Sequence, residues 1–223
     1  MRRLVIGGTI WLAWFTATPA AQQTPAPYVG LLAGVSTLSS DARSEVSPGG
    51  SADVSLYTPE NGLAISVLFG MHLHQFVSLQ ANYVWNANDL VLTSVRGNDS
   101  AFYEQPRSSS QHAVIGDLLL YFRNRDSAIR PYLSVGSGVV RIDTTSSGGS
   151  RQRATAPPAQ TIRTVSGVLR TAVGIDISLR RRWAVRYTFS ETLSSNPFSA
   201  ALSPPGQRKL ANFQSLVGIV RAF

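Results

Sequence analysis

The chain has 223 residues, of which 43% are hydrophobic, 14% charged and none cysteine, with a formal charge of +8. That content is too apolar for a disordered chain, and the lack of cysteine excludes a disulfide scaffold, a thiolate metal site and a cysteine nucleophile. No stretch reaches the ~18 apolar residues of a spanning helix, so the apolar content is spread over many short segments.

Residues 1–21 read as a secretory signal: Arg2 and Arg3 give the positive start, Leu4 to Phe15 the apolar centre, and Thr18-Pro19-Ala20-Ala21 the small-residue exit. Its removal takes two arginines and lowers the charge from +8 to +6. Residues 22–27 form a Gln/Pro/Ala leader, and 28–223 read as one domain. Lys209 is the only lysine. The arginines scatter through loops and turns, which speaks against a nucleic-acid partner.

From Tyr28 onward the hydrophobicity has period two, the mark of strands with one apolar face. In chain order, 28–38 sets Val29, Leu31, Ala33 and Val35 against Gly30, Gly34 and Ser36. The run 63–73 sets Leu63, Ile65, Val67, Phe69, Met71 and Leu73 against Ala64, Ser66, Gly70 and His72. The third, 77–88, opposes Leu79, Tyr83 and Trp85 to Gln80, Asn82 and Asn86; the fourth, 112–122, is ambiguous because both faces are apolar. Segments 130–142, 166–178, 183–192 and 210–223 complete the set of eight. Long stretches rich in Ser, Gly, Pro and Asp (39–62, 95–111, 143–165 and 193–209) alternate strictly with short ones (74–76, 123–129 and 179–182). Long loops at one end, short turns at the other and strands of about eleven residues predict a tilted membrane-crossing meander.

Alternation alone does not say which face is outside, since a soluble up-and-down barrel shares the period. Two features decide for lipid outside. The polar face is rich in Gly, Ser, Ala and Asn with almost no Lys or Glu, which suits a narrow lumen and not a solvated sheet. The apolar face carries Phe76, Phe122, Trp183 and Phe223 near the short turns, and Tyr83, Trp85, Tyr187, Phe189 and Phe213 toward the long loops, as two interfacial girdles. In hydrocarbon every backbone polar group must pair internally, so the first segment has to pair with the last. The expected fold is all-β: a closed, eight-stranded, antiparallel up-and-down transmembrane β-barrel.

With its last strand, Asn212-Phe213-Gln214-Ser215-Leu216-Val217-Gly218-Ile219-Val220-Arg221-Ala222-Phe223, the chain resembles the small outer-membrane β-barrel proteins of the OmpA-type and OmpX-type class. The closing phenylalanine is similar to the signal such proteins present to the barrel-assembly machinery, although Arg221 stands where a hydrophobic residue is usual. The resemblance implies a bacterial outer-membrane location, a structural, adhesive or surface-interaction role, and partners in the lipid bilayer and lipopolysaccharide. Arginine-rich surface suits contact with lipopolysaccharide phosphate. A narrow passive pore for ions or small solutes is the second expectation and a lipid A-modifying enzyme the third. A monomer is expected, with no cofactor, no catalytic residue and no metal.

The polar face also holds ionisable candidates. If Leu179 pairs with Trp183 across the turn, Asp176 lies opposite Arg186, both inward, and Asp117 and Arg170 share the lumen. Such a set plugs and rigidifies the barrel or gates a narrow water path. His72 and His74, at spacing two, share a strand face and with His112 make up the three histidines, but no acidic cluster accompanies them. An acyl hydrolase needs a serine beside a base. Ser190-Glu191-Thr192 offers serine and acid without histidine in that strand, and His112 at the outer rim is the remaining base. Asp41, Glu45, Asp53 and Glu60 in one long loop and Arg151, Arg153 and Arg163 in another allow loop association.

Overall fold

The computed structural model describes residues 25–38, 44–46, 53–59, 61–96, 102–147, 151–152, 161–180, 182–198 and 208–223; the expected signal segment lies outside them. Eleven strands make a single sheet: β1 Ala26–Leu38, β2 Ser44–Val46, β3 Asp53–Pro59, β4 Asn61–His72, β5 Val77–Arg96, β6 Phe102–Tyr121, β7 Ile129–Ser146, β8 Arg151–Gln152, β9 Ile162–Arg180, β10 Trp183–Ser195 and β11 Lys209–Ala222. Eight of them, all but the short β2, β3 and β8, pair antiparallel in a ring. The ring closes where β1 meets β11, from Tyr28 opposite Ala222 to Leu38 opposite Asn212. Closure leaves no backbone edge facing lipid, which is the requirement that hydrocarbon imposes.

The alternation becomes an inside-out barrel. Leu31, Phe69, Val114, Leu133, Val173 and Val217 project outward and are about half exposed, while Tyr28, Leu68, Asn82, Ile115, Tyr132, Arg170 and Arg186 are buried inward. The short fourth segment resolves in the same way: Val114, Leu118, Leu120 and Phe122 face out, and Ile115, Asp117, Leu119 and Tyr121 face in. An apolar exterior around a partly polar interior is the arrangement of a membrane-spanning barrel, the reverse of a water-soluble one.

The wall is not of even height. Strands β1, β10 and β11 run 13, 13 and 14 residues, but β5 and β6 each run 20. Their pairing continues up to Val95 opposite Phe102, so the expected 95–111 loop is largely a hairpin and the expected ends at 88 and 112 fall short. Hydrophobic period-two patterning fades there because the buried inward face is itself largely polar, at Asn88, Gln105, Arg107 and Ser109, and the outward face above the lipid need not be apolar. Beside this raised hairpin β3 pairs with upper β5, above the stretch where β4 pairs with its lower part. On the far side β8 pairs with upper β6.

Candidate functional site

The interior is stacked in layers, and register explains which side chains meet. At the short-turn end Arg186 is 1% exposed and every guanidinium nitrogen has a partner. Nε donates to Asp176 Oδ1 at 2.6 Å and Nη2 to Asp176 Oδ2 at 2.7 Å, a bidentate fork; Nη1 donates to Gln80 Oε1 at 2.5 Å and Nη2 also to the Tyr121 hydroxyl at 2.8 Å. Tyr121 in turn donates to Asp176 Oδ2 at 3.0 Å, and Tyr28 to Gln80 Oε1 at 3.1 Å. The guanidinium carbon lies 5.4 and 5.1 Å from the ring centres of Tyr28 and Tyr132. Arg186 and Asp176 stand directly opposite on β10 and β9, but Trp183 pairs with Arg180, not Leu179. A register irregularity between Trp183 and Ala184 absorbs the difference.

One layer deeper, Arg170 Nη1 donates to Asp117 Oδ2 at 3.0 Å, and Asn82 Nδ2 donates to the same oxygen at 2.5 Å. Asp117 and Arg170 lie on β6 and β9, with β7 between them. Gly136 is in register with both. A Cβ at Gly136 would stand 2.0 Å from Asp117 Oδ1 and 2.5 Å from the Gly116 carbonyl oxygen, so the missing side chain is the space the pair reaches across. The same device recurs at Gly174, over which Tyr132 bonds Thr188 at 2.5 Å, and at Gly70, over which Tyr28 bonds Gln80. Small residues on the polar face were expected to suit a narrow lumen; their spacing in register bridges alternate strands.

Toward the long loops, amides take over. Ser36 donates to Asn212 at 2.7 Å and Asn88 Nδ2 to the Ser36 carbonyl at 2.8 Å, while Asn86, Gln111 and Gln214 interlink at 3.2 Å. Among them Leu38, Val84, Leu90, Ile115, Ile142, Leu210 and Phe198 form one buried apolar cluster, and Arg107, buried opposite Leu90, donates from Nη2 to Gln105 Oε1 at 3.3 Å. Phe198 comes from the segment after β10 and is 0% exposed; its backbone N–H donates to Asn196 Oδ1 at 2.9 Å. Nothing in the sequence marked Phe198, because it lies outside any alternating run.

The expected interfacial aromatics are on the outer wall. Phe76, Phe122, Trp183, Tyr187, Phe189 and Phe223 are exposed, and Trp85 and Phe213 partly so. Arg221 sits over Trp183 and Phe223, 5.3 and 5.2 Å from their ring centres, so the cation that departs from the usual terminal signal stacks on the short-turn girdle. Phe189 and Phe213 stack at 6.3 Å.

The histidines part company. His72 is buried inside, bonded through Nδ1 to Ser78 at 2.6 Å, whereas His74 lies exposed in the turn, so the two do not share a face. His112 is on the outer wall, with Nδ1 2.7 Å from the Tyr83 hydroxyl and Nε2 3.3 Å from Ser110 Oγ. Ser190 points into the lumen beside Arg170 at 3.4 Å, and its neighbour Glu191 points outward, so period two separates that serine from that acid. Two serines do meet a histidine: Ser78 at His72 inside the barrel, and Ser110 at His112 outside, two residues before it on one strand face. Past the apolar belt, Asp143 accepts from Arg141 Nε and from Arg163 Nε, each at 2.7 Å. The side chains of Asp41, Glu45, Asp53, Glu60, Arg151 and Arg153 lie outside the described residues.

Among solved structures the chain is similar to Neisserial surface protein A, with a TM-score of 0.55 at 11% identity over 90% of this chain and 100% of that one. It is also similar to the outer membrane protein OprG from Pseudomonas aeruginosa, with a TM-score of 0.53 at 11% identity over 89% and 96% of the two chains. At that identity the likeness is one of fold. No protein-family model and no curated protein sequence matches the chain.

Proposed function

We propose that this protein is a bacterial outer-membrane barrel with a structural and surface-interaction role, holding the raised β5–β6 hairpin and its neighbouring loops clear of the lipid. The observation that carries this reading is the filled lumen. Side chains occupy it from Arg186 at the short-turn end to Phe198 at the long-loop end. A barrel packed in this way is an anchor, and variable segments on a rigid scaffold are where recognition resides. The fold shared with a surface protein and an outer membrane protein supports the placement.

On the outer wall Arg141 and Arg163 stand beyond the apolar belt, where lipopolysaccharide phosphates lie, and share the one carboxylate of Asp143. Two exposed arginines against one acid leave net positive charge for those phosphates. Removing residues 147–161 while the barrel still folds should abolish attachment of the cells that carry it; undiminished attachment would sink the adhesive reading.

A narrow passive pore is the second reading, favoured by the continuous polar ladder from Gln80 through Asn82 and Asp117 to Arg170. It requires the Arg186 layer and the Phe198 cluster to move aside. Planar-bilayer recordings separate the two: the anchor gives no steady conductance, and the pore gives one that Arg186→Ala enlarges.

A further inference from the structure

Below the Arg186 layer the barrel opens at its short-turn end into a polar vestibule of about 300 Å³. Arg125, Arg130, Arg180 and Arg182 line it, and the Arg186–Asp176 pair forms its floor. Against these cations the vestibule presents one further acid, the exposed Asp126. Arg186 and Asp176 neutralise each other, so the remaining lining carries four positive charges and one negative.

Arg130 is the revealing member. It is 6% exposed, and although Asp176 faces it in register from β9, that carboxylate is held in the fork of Arg186. Arg130 Nη2 donates to the Gln75 carbonyl oxygen at 3.1 Å, the guanidinium lies 3.9 Å from the Tyr121 ring centre, and Nε has no hydrogen-bond partner. Arg125 reaches over the same turn and donates from Nη2 to the His72 carbonyl oxygen at 2.8 Å. Two guanidinium groups are thus steered into one mouth by backbone carbonyls, and the buried one, Arg130, shares the single charge of Asp176 with Arg186. A buried cation of this kind is costly unless an anion completes it.

We infer that the short-turn vestibule binds a phosphate-type anion, with Arg130 as its anchor and Arg125, Arg180 and Arg182 closing around it. Planar guanidinium forks match tetrahedral oxyanions, and a cavity of this size accepts a phosphate with a small substituent. The anion arises either as a free phosphate ester or as the headgroup of a lipid in the leaflet around the short-turn rim.

The test is calorimetric titration of the full chain with inorganic phosphate, first in phosphatidylcholine nanodiscs and then in phosphatidylglycerol nanodiscs. One saturable site in phosphatidylcholine, weakened about tenfold or more in Arg130→Gln, is the expected result. A heat-shifted gel band shows that the variant remains a folded barrel, and Arg130→Lys should retain part of the affinity. If the site persists in phosphatidylglycerol, the ligand is a free phosphate; if it vanishes there, headgroups already fill it. No saturable binding in phosphatidylcholine, or the same affinity in folded Arg130→Gln, would overturn the inference.

Discussion

The two ends of the lumen fill the same space with different chemistry, an ion-pair network at one and a mainly apolar cluster at the other. The short-turn end buries Arg186 and gives each of its three guanidinium nitrogens a partner among Asp176, Gln80 and Tyr121. The long-loop end packs Leu38, Leu90, Ile142, Leu210 and Phe198 into an apolar cluster, with the buried Arg107 beside it donating to Gln105 at 3.3 Å. A charged layer is rigid because each bond is directional, but it fails badly when one member is lost. An apolar layer fails gradually, by cavity. The difference therefore predicts where this barrel is brittle.

The charged end should break hardest. Arg186→Leu leaves Asp176 buried without its cation and should cost about 3–5 kcal/mol, read by urea unfolding of the barrel in detergent micelles. Adding Asp176→Leu should recover part of that loss, since two apolar groups leave no orphaned charge. A double variant worse than the single would refute the account of this layer.

At the other end, Phe198→Ala should cost about 3 kcal/mol, with no carboxylate or guanidinium left unpaired. Its second readout is conductance. Opening the apolar mouth alone should leave the barrel closed, because the Arg186 layer remains; an open channel in Phe198→Ala would show that the apolar end is the true seal.

Between the two ends, Gly136→Ala forces a Cβ against the Gly116 carbonyl oxygen and parts Asp117 from Arg170, at about 1–3 kcal/mol by overpacking. Asp117→Asn in the same background tests the link. If the glycine is only a spacer, the two costs add; if it is the gap the ion pair crosses, the second substitution costs little.

These layers were unevenly legible in the sequence. Period two placed Asp176 and Arg186 on one face, and a short turn between their strands put them opposite each other, because hairpin register is local. Asp117 and Arg170 could be assigned to the lumen but not to each other. Their contact skips a strand, and only the registers of β6 with β7 and of β7 with β9 reveal the glycine between them. Phe198 gave no signal because it belongs to neither face of any strand. The upper β5–β6 hairpin was hidden for a related reason: out of lipid, backbone pairing persists without the alternation that betrays it.

The smallest effect is expected on the outer wall, where Asp143 joins Arg141 and Arg163 beyond the belt. Asp143→Asn removes the one carboxylate that both arginines share and frees them for lipid phosphate, so binding to lipopolysaccharide micelles should tighten by about two- to threefold and grow more sensitive to salt. Mild acid should not reproduce this change. The hydrogen bond from Arg141, with that from Arg163, holds the Asp143 carboxyl below the usual carboxylate range. Its contribution is therefore complete above the ordinary value and is lost only as pH falls through the lowered one. Wild type at pH 5 should bind as it does at pH 7, and the Asn variant should exceed it at both. A wild-type gain already at pH 5 would mean that Asp143 titrates normally and that the arginines do not hold it.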